Sequence, residues 1–299
     1  MMAKNSIMVA DKYQLLKKIG EGSFGKIFLA QAHAQAQADA MQDQAESEFA
    51  IKIMPLRNKA VGDNEVQIYE KIQGVKGIPA LYAWGTESRF HYIVMELLDQ
   101  SLEQLLLSFN SGADAEQKTM NLKTMNLKTM PLKVVLHLGV QILNIIEQIH
   151  ARGIIHRDLK PANFLLKNDK QNISQLYLID FGLSMFFLDD KLKHQAIRTN
   201  EAPVGTARYM SVNMHHGLTA SRRDDLETVG YILMFLYHGA LPWQNANNVV
   251  EQKLGLNWAS STVGEFVLFI QYCRNLGYAD KPNYEYLRQM LNNLAGITQ

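Results

Sequence analysis

The spacing of apolar residues changes near residue 100, and this change constrains the fold more than any other feature. Before it, short segments carry apolar residues at alternate positions and are predicted to be strands: Tyr13–Ile19, Lys26–Ala30, Phe49–Ile53 and Tyr92–Met95. Before the last of these, Asn64–Gln73 has apolar residues at helical spacing. The first third of the chain is therefore predicted to form strands with one main helix.

Beyond residue 100 the pattern indicates helices. Val134–Ala151 and Arg222–Tyr237 have apolar residues crowded along uninterrupted segments, and the second is predicted to be a buried helix. A strand-rich part followed by a helix-rich part is typical of an α+β fold with two lobes. The junction is predicted near Glu96–Gln100.

Composition excludes several classes of protein. The 299 residues include 30 Lys and Arg against 29 Asp and Glu, a net charge of +1, which argues against a coat for nucleic acid or anionic membranes. The most apolar run, near Val229–Tyr237, is far shorter than the ~20 residues that span a bilayer, so no membrane span is expected. Cys273 is the only cysteine, so an internal disulfide is excluded and an intracellular, cytoplasmic or nuclear location is expected.

Two segments are predicted to be insertions. Gln31–Ser47 is rich in Gln and Ala and has little apolar content. The second lies near residues 108–130, where the words KTMNL, KTMNL and KTMPL follow one another within Lys118–Lys133. A period of five matches neither a helix nor a strand, so this repeat is interpreted as a local duplication in a tolerant loop.

A glycine-rich stretch, Gly20-x-Gly22-x-x-Gly25, is the first candidate site. Glycines allow a backbone to approach phosphate groups closely, with amide N–H groups facing the anion. A dinucleotide-binding turn requires a helix after the third glycine, whereas Lys26–Leu29 has the pattern of a strand. The stretch is therefore interpreted as a flap over nucleotide phosphates, with an ordinary hairpin as the alternative.

Lys52 and Glu65 form the second candidate. Lys52 lies within a predicted strand after the glycine-rich stretch, where a lysine can reach the α- and β-phosphates of a nucleotide. Glu65 lies on the following predicted helix and could pair with Lys52. For either residue alone, an unrelated surface charge is an equally good interpretation.

The segment His156-Arg157-Asp158-Leu159-Lys160-Pro161-Ala162-Asn163 carries the strongest signal. Asp158 can accept or orient the proton of an attacking hydroxyl, Lys160 can neutralise a transferring phosphoryl group, and Asn163 can bind a metal ion. Downstream, Asp180-Phe181-Gly182 follows an apolar strand and would present a second metal ligand, Asp180.

Together these motifs resemble a eukaryotic protein kinase over roughly Tyr13 to Leu294. The usual Ala-Pro-Glu segment is absent, and Gly205–Asn213 stands in its place, followed by Ser221–Glu227 and Leu241–Gln244. These segments are similar to those of the casein kinase I family, so the chain is identified as a divergent member. The resemblance implies an α+β bilobal kinase fold in one domain, with an antiparallel-sheet N-lobe (13–95), a hinge (96–99) and a mainly helical C-lobe (100–294).

The resemblance also implies a Ser/Thr protein kinase that uses ATP and Mg²⁺ on protein substrates and is expected to be a monomer. ATP would lie between the lobes, with Lys52 and Glu65 as an ion pair and the cation on Asn163 and Asp180. Met95 would be the gatekeeper, and Asp225 a buried residue that braces the catalytic loop. The remaining residues implied in nucleotide binding are Gly20, Gly22, Ser23, Gly25, Ile27, Ala50, Glu96, Leu98 and Leu165.

Two further expectations concern single residues. Cys273 lies in a predicted helical stretch and is expected to be a core residue. Thr206, in the segment after Asp180, is considered only as a candidate for phosphorylation.

Departures from the family concern the recognition of phosphorylated or acidic substrates. Arg198 matches one basic residue of the family's anion site, but Met185 and Asn247 stand where lysines are common. Fewer cations should weaken phosphate recognition, so a reduced dependence on primed substrates is predicted. A pseudokinase or scaffold that binds partners through the same fold is the alternative function, and a small-molecule kinase is a third.

Overall fold

The structure, a computed structural model, describes residues 7–32, 48–108, 129–168, 174–255 and 263–296. The backbone divides into two compact units, Met1–Asp99 with Ile179–Gly182 and Gln100–Leu178 with Leu183–Gln299, here called the first and second units. Much of both predicted insertions, 33–47 and 109–128, lies outside the described residues.

The edges of the predicted insertions are corrected by the structure. Gln31 and Ala32 complete a strand instead of beginning an insertion, because Gln31 pairs with Gln14 and Glu48 and Ala32 pairs with Tyr13. Met130 is buried at 2% exposure, and its amide donates to the carbonyl of Leu236. Ser108 is the last residue of a helix.

The first unit is a six-stranded antiparallel sheet with one long helix. The strands are β1 (Met8–Val9), β2 (Tyr13–Glu21), β3 (Lys26–Ala32), β4 (Glu48–Pro55), β5 (Leu81–Thr86) and β6 (Phe90–Glu96), in the order β1-β2-β3-β4-β6-β5. The helix α1 spans Lys59–Ile72 and packs against β4, β5 and β6. All four predicted strands are confirmed and are longer than predicted, whereas β1 and β5 were not predicted.

Each face of this sheet has its own apolar cluster, because side chains alternate along a strand. One cluster contains Tyr13, Phe49, Ile51 and Val94. The other contains Ala50, Met54, Ile93 and Met95 and receives Val66 from α1. The face that binds α1 is therefore also the face of Lys52, which alternates with Ala50 and Met54 along β4.

The second unit is mainly helical. Its helices are α2 (Leu102–Ser108), α3 (Leu132–Ala151), α4 (Val212–His215), α5 (Arg222–His238), α6 (Val249–Leu254), α7 (Gly264–Asn275) and α8 (Tyr284–Leu294). Two small antiparallel pairs accompany them: β7 (Ile154–Ile155) with β10 (Met185–Phe186), and β8 (Phe164–Asn168) with β9 (Ser174–Leu178). The core lies where α3 contacts α5 and α8, and where α5 contacts α7.

Helix α5 is buried along most of its length, as its sequence predicts. A capping box of Ser221 and Asp224 begins it, and Gly239, with a φ of 76°, ends it in the left-handed conformation. Every residue from Asp224 to Leu236 is buried. Cys273 on α7 is buried too, which confirms its predicted place in the core.

Helix α3 is the one described helix whose length and hydropathy would allow it to cross a membrane. Sequence reading predicted a helix over Val134–Ala151 but placed the most apolar run in α5. Ten residues of α3, including Leu136, Ile142 and Ile146, are buried in the protein, and the helix contacts α5 and α8. Such burial is typical of the core helix of a globular protein, so α3 does not indicate a membrane span.

Candidate active site

The first unit brings Lys52, Glu65 and Asp180 together. Lys52 Nζ donates to Glu65 Oε1 at 2.9 Å and Oε2 at 2.7 Å, and to Asp180 Oδ1 at 2.8 Å. Lys52 lies on β4, between β3 and β6, and Glu65 lies on α1, so the pair joins the sheet to the helix. The predicted ion pair is therefore present.

Charge compensation within this group decides the state of Lys52. Burial alone lowers the pKa of the ammonium, but the adjoining carboxylates of Glu65 and Asp180 more than offset this and raise the pKa above its ordinary value. Lys52 therefore stays protonated. A fixed ammonium with two carboxylate partners is suited to hold anionic phosphate groups.

The segment Asp180–Gly182 lies against α1 in the first unit. Phe181 is fully buried, and its ring meets that of Tyr69 edge to face at 5.0 Å. Asn64 Nδ2 donates to the carbonyl of Gly182 at 3.4 Å. Asp180 itself has a φ of 66°, an uncommon conformation for a residue other than glycine, and such conformations cluster at functional sites.

The glycine-rich stretch forms a turn between two antiparallel strands, as predicted. β2 and β3 pair on either side of it, and the amide of Gly22 donates to the carbonyl of Gly25 at 2.9 Å. A Cβ at Gly25 would lie 2.4 Å from the carbonyl oxygen of Ile53, whereas one at Gly22 would meet nothing within 4 Å. Gly25 is thus explained by close packing on β4, a role that the motif alone did not reveal. Ser23 and Gly20 lie in or beside the same turn.

Three of the residues expected to bind the nucleotide share one apolar cluster of the first unit. Ala50 and Met95 are directly opposite on β4 and β6, and Ile27 packs against the same cluster. In the predicted hinge, Glu96 closes a reciprocal contact: its amide donates to Ala80 O at 2.9 Å, and its carboxylate accepts from Ala80 N at 3.1 Å. Leu98 follows β6 and is half-buried.

The second unit brings Asp158, Lys160 and Asn163 together. Lys160 Nζ donates to Asp158 Oδ2 at 2.6 Å, and Asn163 Nδ2 donates to the Asp158 carbonyl at 2.9 Å. Thr206 donates to Asp158 Oδ1 through its amide at 2.8 Å and its hydroxyl at 2.7 Å. The Asp158 carboxylate is therefore fixed by three donor contacts, with an ammonium on one oxygen, and Asn163 holds its backbone carbonyl. Leu165 lies nearby in sequence on β8.

Asp225 holds the backbone that leads to Asp158, which confirms its predicted bracing role. Its carboxylate accepts from the amides of His156 at 2.7 Å and Arg157 at 2.9 Å. His150 Nε2 lies 3.0 Å from the same carboxylate. Burial alone raises the pKa of Asp225, but these contacts more than offset it and hold the pKa below its ordinary value. Arg157 is fixed with a φ of 69°.

The segment that replaces Ala-Pro-Glu is anchored through its carbonyl groups. Trp243 Nε1 donates to Arg208 O and Thr228 Oγ1 to Tyr209 O, both at 2.8 Å. Lys253 Nζ donates to Ala207 O at 2.9 Å and Met210 O at 2.6 Å. Four successive carbonyls are thus held by side chains, which fixes the residues next to Thr206.

Lys253 reaches these carbonyls from a buried position on α6. Burial lowers its pKa to about 7. Nearby, Glu227 Oε1 accepts from Arg274 Nε at 3.0 Å, and Arg274 also donates to the carbonyl of Lys253 at 3.0 Å. The network links α5, α6 and α7 to the segment near Asp158.

Arg198, the predicted anion-site residue, lies on the surface of the second unit. Its Nε donates to Glu201 Oε1 at 2.7 Å, and this carboxylate raises the pKa of Arg198. Met185, in β10, is half-buried. The structure therefore places a carboxylate of this chain on the cation that was predicted to bind an anion.

The predicted metal ligands lie in different units, Asn163 in the second and Asp180 in the first. Among the described residues, no group of three or more His, Cys, Asp or Glu side chains is arranged to hold a metal ion. An amide oxygen and a carboxylate are nevertheless ligands that suit Mg²⁺, which commonly takes its other ligands from water and substrate phosphates. The chemistry of the two residues therefore fits such an ion.

Sequence reading missed two contributors to these groups. Thr206 was considered only as a phosphorylation candidate, although its place directly after Gly205 could have drawn attention to it. A Cβ at Gly205, whose φ is 95°, would lie 2.5 Å from the carbonyl of Arg157, so residue 205 and the catalytic loop must be in close contact. No local sequence pattern marks Lys253, because the two carbonyl groups to which it donates lie more than 40 residues away in sequence.

Comparison with known protein families gives a direct assignment. The family model described as protein kinase domain matches residues 13–275, most of the chain. The match agrees with the strand–turn–strand, the Lys52–Glu65 pair and the Asp158 loop, and it supports a bilobal α+β kinase fold that uses ATP and protein substrates. The chain belongs to the protein kinase family.

Proposed function

We propose that the chain is a Ser/Thr protein kinase similar to casein kinase I, which transfers the γ-phosphoryl group of ATP to protein hydroxyls. The observation that carries this proposal is the fixed carboxylate of Asp158, held by Lys160 and Thr206. A positioned carboxylate with an adjacent ammonium is suited to orient an attacking hydroxyl and to stabilise the transferring group.

A groove in the second unit offers room for a polypeptide beside Asp158. It has a volume of about 500 Å³ and is lined by Lys160, Thr206, Arg208, Trp243 and Gln244, among others. Two of these residues contact Asp158 directly. A substrate chain in this groove would bring a side-chain hydroxyl towards the carboxylate.

In the proposed reaction, the substrate oxygen bonds to the γ-phosphorus as the bond to the bridging oxygen of ADP breaks. Asp158 orients the hydroxyl and accepts its proton. Lys160 stabilises negative charge on the transferring group. Catalysis of this kind is mainly positioning and charge neutralisation, so the dense hydrogen bonding around Asp158 is what the reaction requires.

Nucleotide binding is assigned to residues of the first unit. Lys52, held by Glu65, would bind the α- and β-phosphates, and the turn at Gly20–Gly25 would cover them. Ala50, Ile27 and Met95 would contact the adenine ring, with backbone groups of Glu96–Leu98 as hydrogen-bond partners. Asn163 in the second unit and Asp180 in the first each offer an oxygen ligand suited to a divalent cation, Mg²⁺ in this proposal, which would neutralise phosphate charge.

The preference of this chain for primed substrates is proposed to be weak. Arg198 is paired with Glu201, so an incoming phosphate must displace a carboxylate. A phosphorylated peptide and its unphosphorylated twin should differ little in kcat/KM. A large preference for the primed peptide that is lost in Arg198→Ala would contradict this proposal.

The test is a transfer assay with Mg·ATP on casein and on three acidic peptides that carry Ser, Thr or Tyr at one position. The wild-type chain should phosphorylate the Ser and Thr peptides. Asp158→Asn, which keeps the side-chain shape, should lose about 10²–10⁴-fold in rate.

Two outcomes would contradict the proposal. Equal background signals from wild type and Asp158→Asn would favour the scaffold alternative, especially if ATP still binds. Phosphorylation of the Tyr peptide alone would refute the Ser/Thr assignment and leave the kinase assignment intact.

A further inference from the structure

A buried histidine lies where α1 meets the sheet of the first unit. His91, on β6, is 4% exposed. Its Nδ1 lies 2.6 Å from Thr86 Oγ1 on β5, and its Nε2 lies 3.0 Å from Asp63 Oδ1 on α1. The imidazole therefore lies between the β5–β6 pair and the helix, with Nδ1 paired to Thr86 and Nε2 close to Asp63 without a hydrogen bond to it.

The helix is shaped to receive this ring. Gly62 is buried within α1, and a Cβ there would lie 2.4 Å from His91 Cδ2. Glycine inside a helix costs about 1 kcal/mol relative to alanine, so an interior glycine calls for a compensating contact. Here the missing side chain makes room for the imidazole.

This contact is close to the Lys52–Glu65 pair. In the antiparallel register, His91 is opposite Met54 and Ile93 is opposite Lys52, so both pairs lie on the sheet face that binds α1. Glu65 follows Gly62 by three residues, about 4.5 Å along the helix axis. The helix thus touches the sheet at two neighbouring points, the first at His91 and the second at Lys52.

The carboxylate of Asp63 lies beside this contact. Lys59, one turn earlier on α1, pairs with Asp63 at 2.6 Å. Lys59, followed by His91, lowers the pKa of Asp63, so this carboxylate stays charged beside the imidazole. Gly62 sets how near the helix comes to the imidazole, and the charged carboxylate of Asp63 lies beside the ring.

We propose that His91 is a positioning residue for phosphoryl transfer, which fixes the distance of α1 from the sheet and thereby places Glu65 on Lys52. The inference rests on the proposed function for the role of Lys52. The geometry supports it because a shift of α1 at Gly62 would carry Glu65, less than one helical turn away, with it. A displacement of about 1 Å in such a group can cost about a hundredfold in rate.

A double-mutant cycle tests the contact itself. Gly62→Ala should lower kcat/KM for ATP about tenfold to a hundredfold, because the new methyl group collides with the imidazole. Gly62→Ala combined with His91→Ala should be no slower than His91→Ala alone, because the smaller side chain leaves room for the methyl group. Gly264→Ala, whose Cβ would meet nothing within 4 Å, is the matched control and should leave the rate unchanged.

A second cycle separates positioning from mere stability. His91→Ala should slow transfer in the wild-type background but not in Glu65→Gln, where the contact that it positions is already lost. The KM for the peptide should stay unchanged in every variant. Equal losses in both backgrounds, or a lowered Tm without a change in rate, would overturn the proposal.

Hydrogen exchange supplies a readout that does not need enzymatic activity. Amides of α1 should exchange faster in His91→Ala than in wild type, while those of β2 and β3 should not change. If the wild-type chain transfers no phosphate, the proposed function fails, and unchanged exchange in α1 would separately refute the role of His91.

Discussion

The two charged groups of this kinase are held in contrasting ways. In the first unit, Lys52 and Glu65 contact each other through side chains, and their geometry depends on how α1 lies on the sheet. In the second unit, Asp158 lies in a loop whose backbone amides donate to Asp225 on α5, and its own carboxylate accepts from Thr206. One group is set by the docking of a single helix, and the other by a dense local network.

The difference suggests which group is rigid and which can be adjusted. A carboxylate held by backbone amides and a buried partner cannot move without breaking several hydrogen bonds. Lys52 and Glu65, which join a strand to a helix, can separate when the helix shifts by about an ångström. Substitutions in the second unit should therefore act mainly on stability and activity together, whereas those around α1 should act mainly on activity.

The largest effect is expected at Asp225. Asp225→Ala removes the acceptor for two backbone amides and His150 in a buried site, which should cost about 3–5 kcal/mol of unfolding free energy. Transfer should be lost as the loop before Asp158 relaxes. Urea unfolding and the transfer assay measure both effects. Asp190→Ala, an exposed carboxylate, is the control, and a stable, active Asp225→Ala variant would contradict the rigid-network account.

A smaller effect is expected in the glycine-rich turn. Gly25→Ala should cost about 1–3 kcal/mol, because the added methyl group meets the carbonyl of Ile53 and the side chain of Met54. Gly22→Ala, in open space, should change stability by less than about 0.5 kcal/mol. Thermal unfolding of both variants checks this. Equal destabilisation by the two substitutions would show that the conformation of the turn, and not its packing on β4, is what requires glycine at position 25.

How far the sequence predicts the molecule can be judged from these same residues. The strands around Lys52 were predicted because apolar residues alternate along them, and α5 because apolar residues crowd one uninterrupted segment. Asp158, Asn163 and Asp180 were found because their chemistry needs a fixed local spacing. His91 and Lys253 were not found, because their partners lie far away in sequence and no local pattern marks a residue whose role is a tertiary contact.

Phosphate binding explains the glycine-rich turn only in part. The motif assigns all three glycines of the turn to phosphate binding. The structure shows that Gly25 is also required by the closeness of β4, and that closeness depends on the register of β3 with β4. Register is a property of the assembled sheet, so spacing within one segment could not reveal it.

The most gradual predicted effect is a pH dependence that belongs to Lys253. Burial lowers its pKa from 10.5 to about 7, so between these values the unfolded chain binds more protons than the folded one. Stability should therefore rise with pH from 7 to 9, by at most about 1.4 kcal/mol per unit from this group. Lys253→Met should flatten that rise, and denaturant unfolding at several pH values measures it.

Lys191→Met, which removes an exposed lysine, is the control for Lys253 and should keep the wild-type slope. Identical pH slopes in wild type and Lys253→Met would mean that the ammonium on the carbonyls of Ala207 and Met210 is not disfavoured by burial. The network that fixes this segment would then need another explanation.

The central claim is that Lys52 and its partners act on the nucleotide while Asp158 and its partners act on the substrate hydroxyl. Its most direct test measures Mg·ATP affinity and peptide phosphorylation side by side in Asp158→Asn and Lys52→Met. Asp158→Asn should bind ATP with wild-type affinity and lose about 10²–10⁴-fold in transfer, whereas Lys52→Met should bind ATP more weakly and also lose transfer. Wild-type transfer by Asp158→Asn, or unchanged ATP affinity in Lys52→Met, would contradict the account.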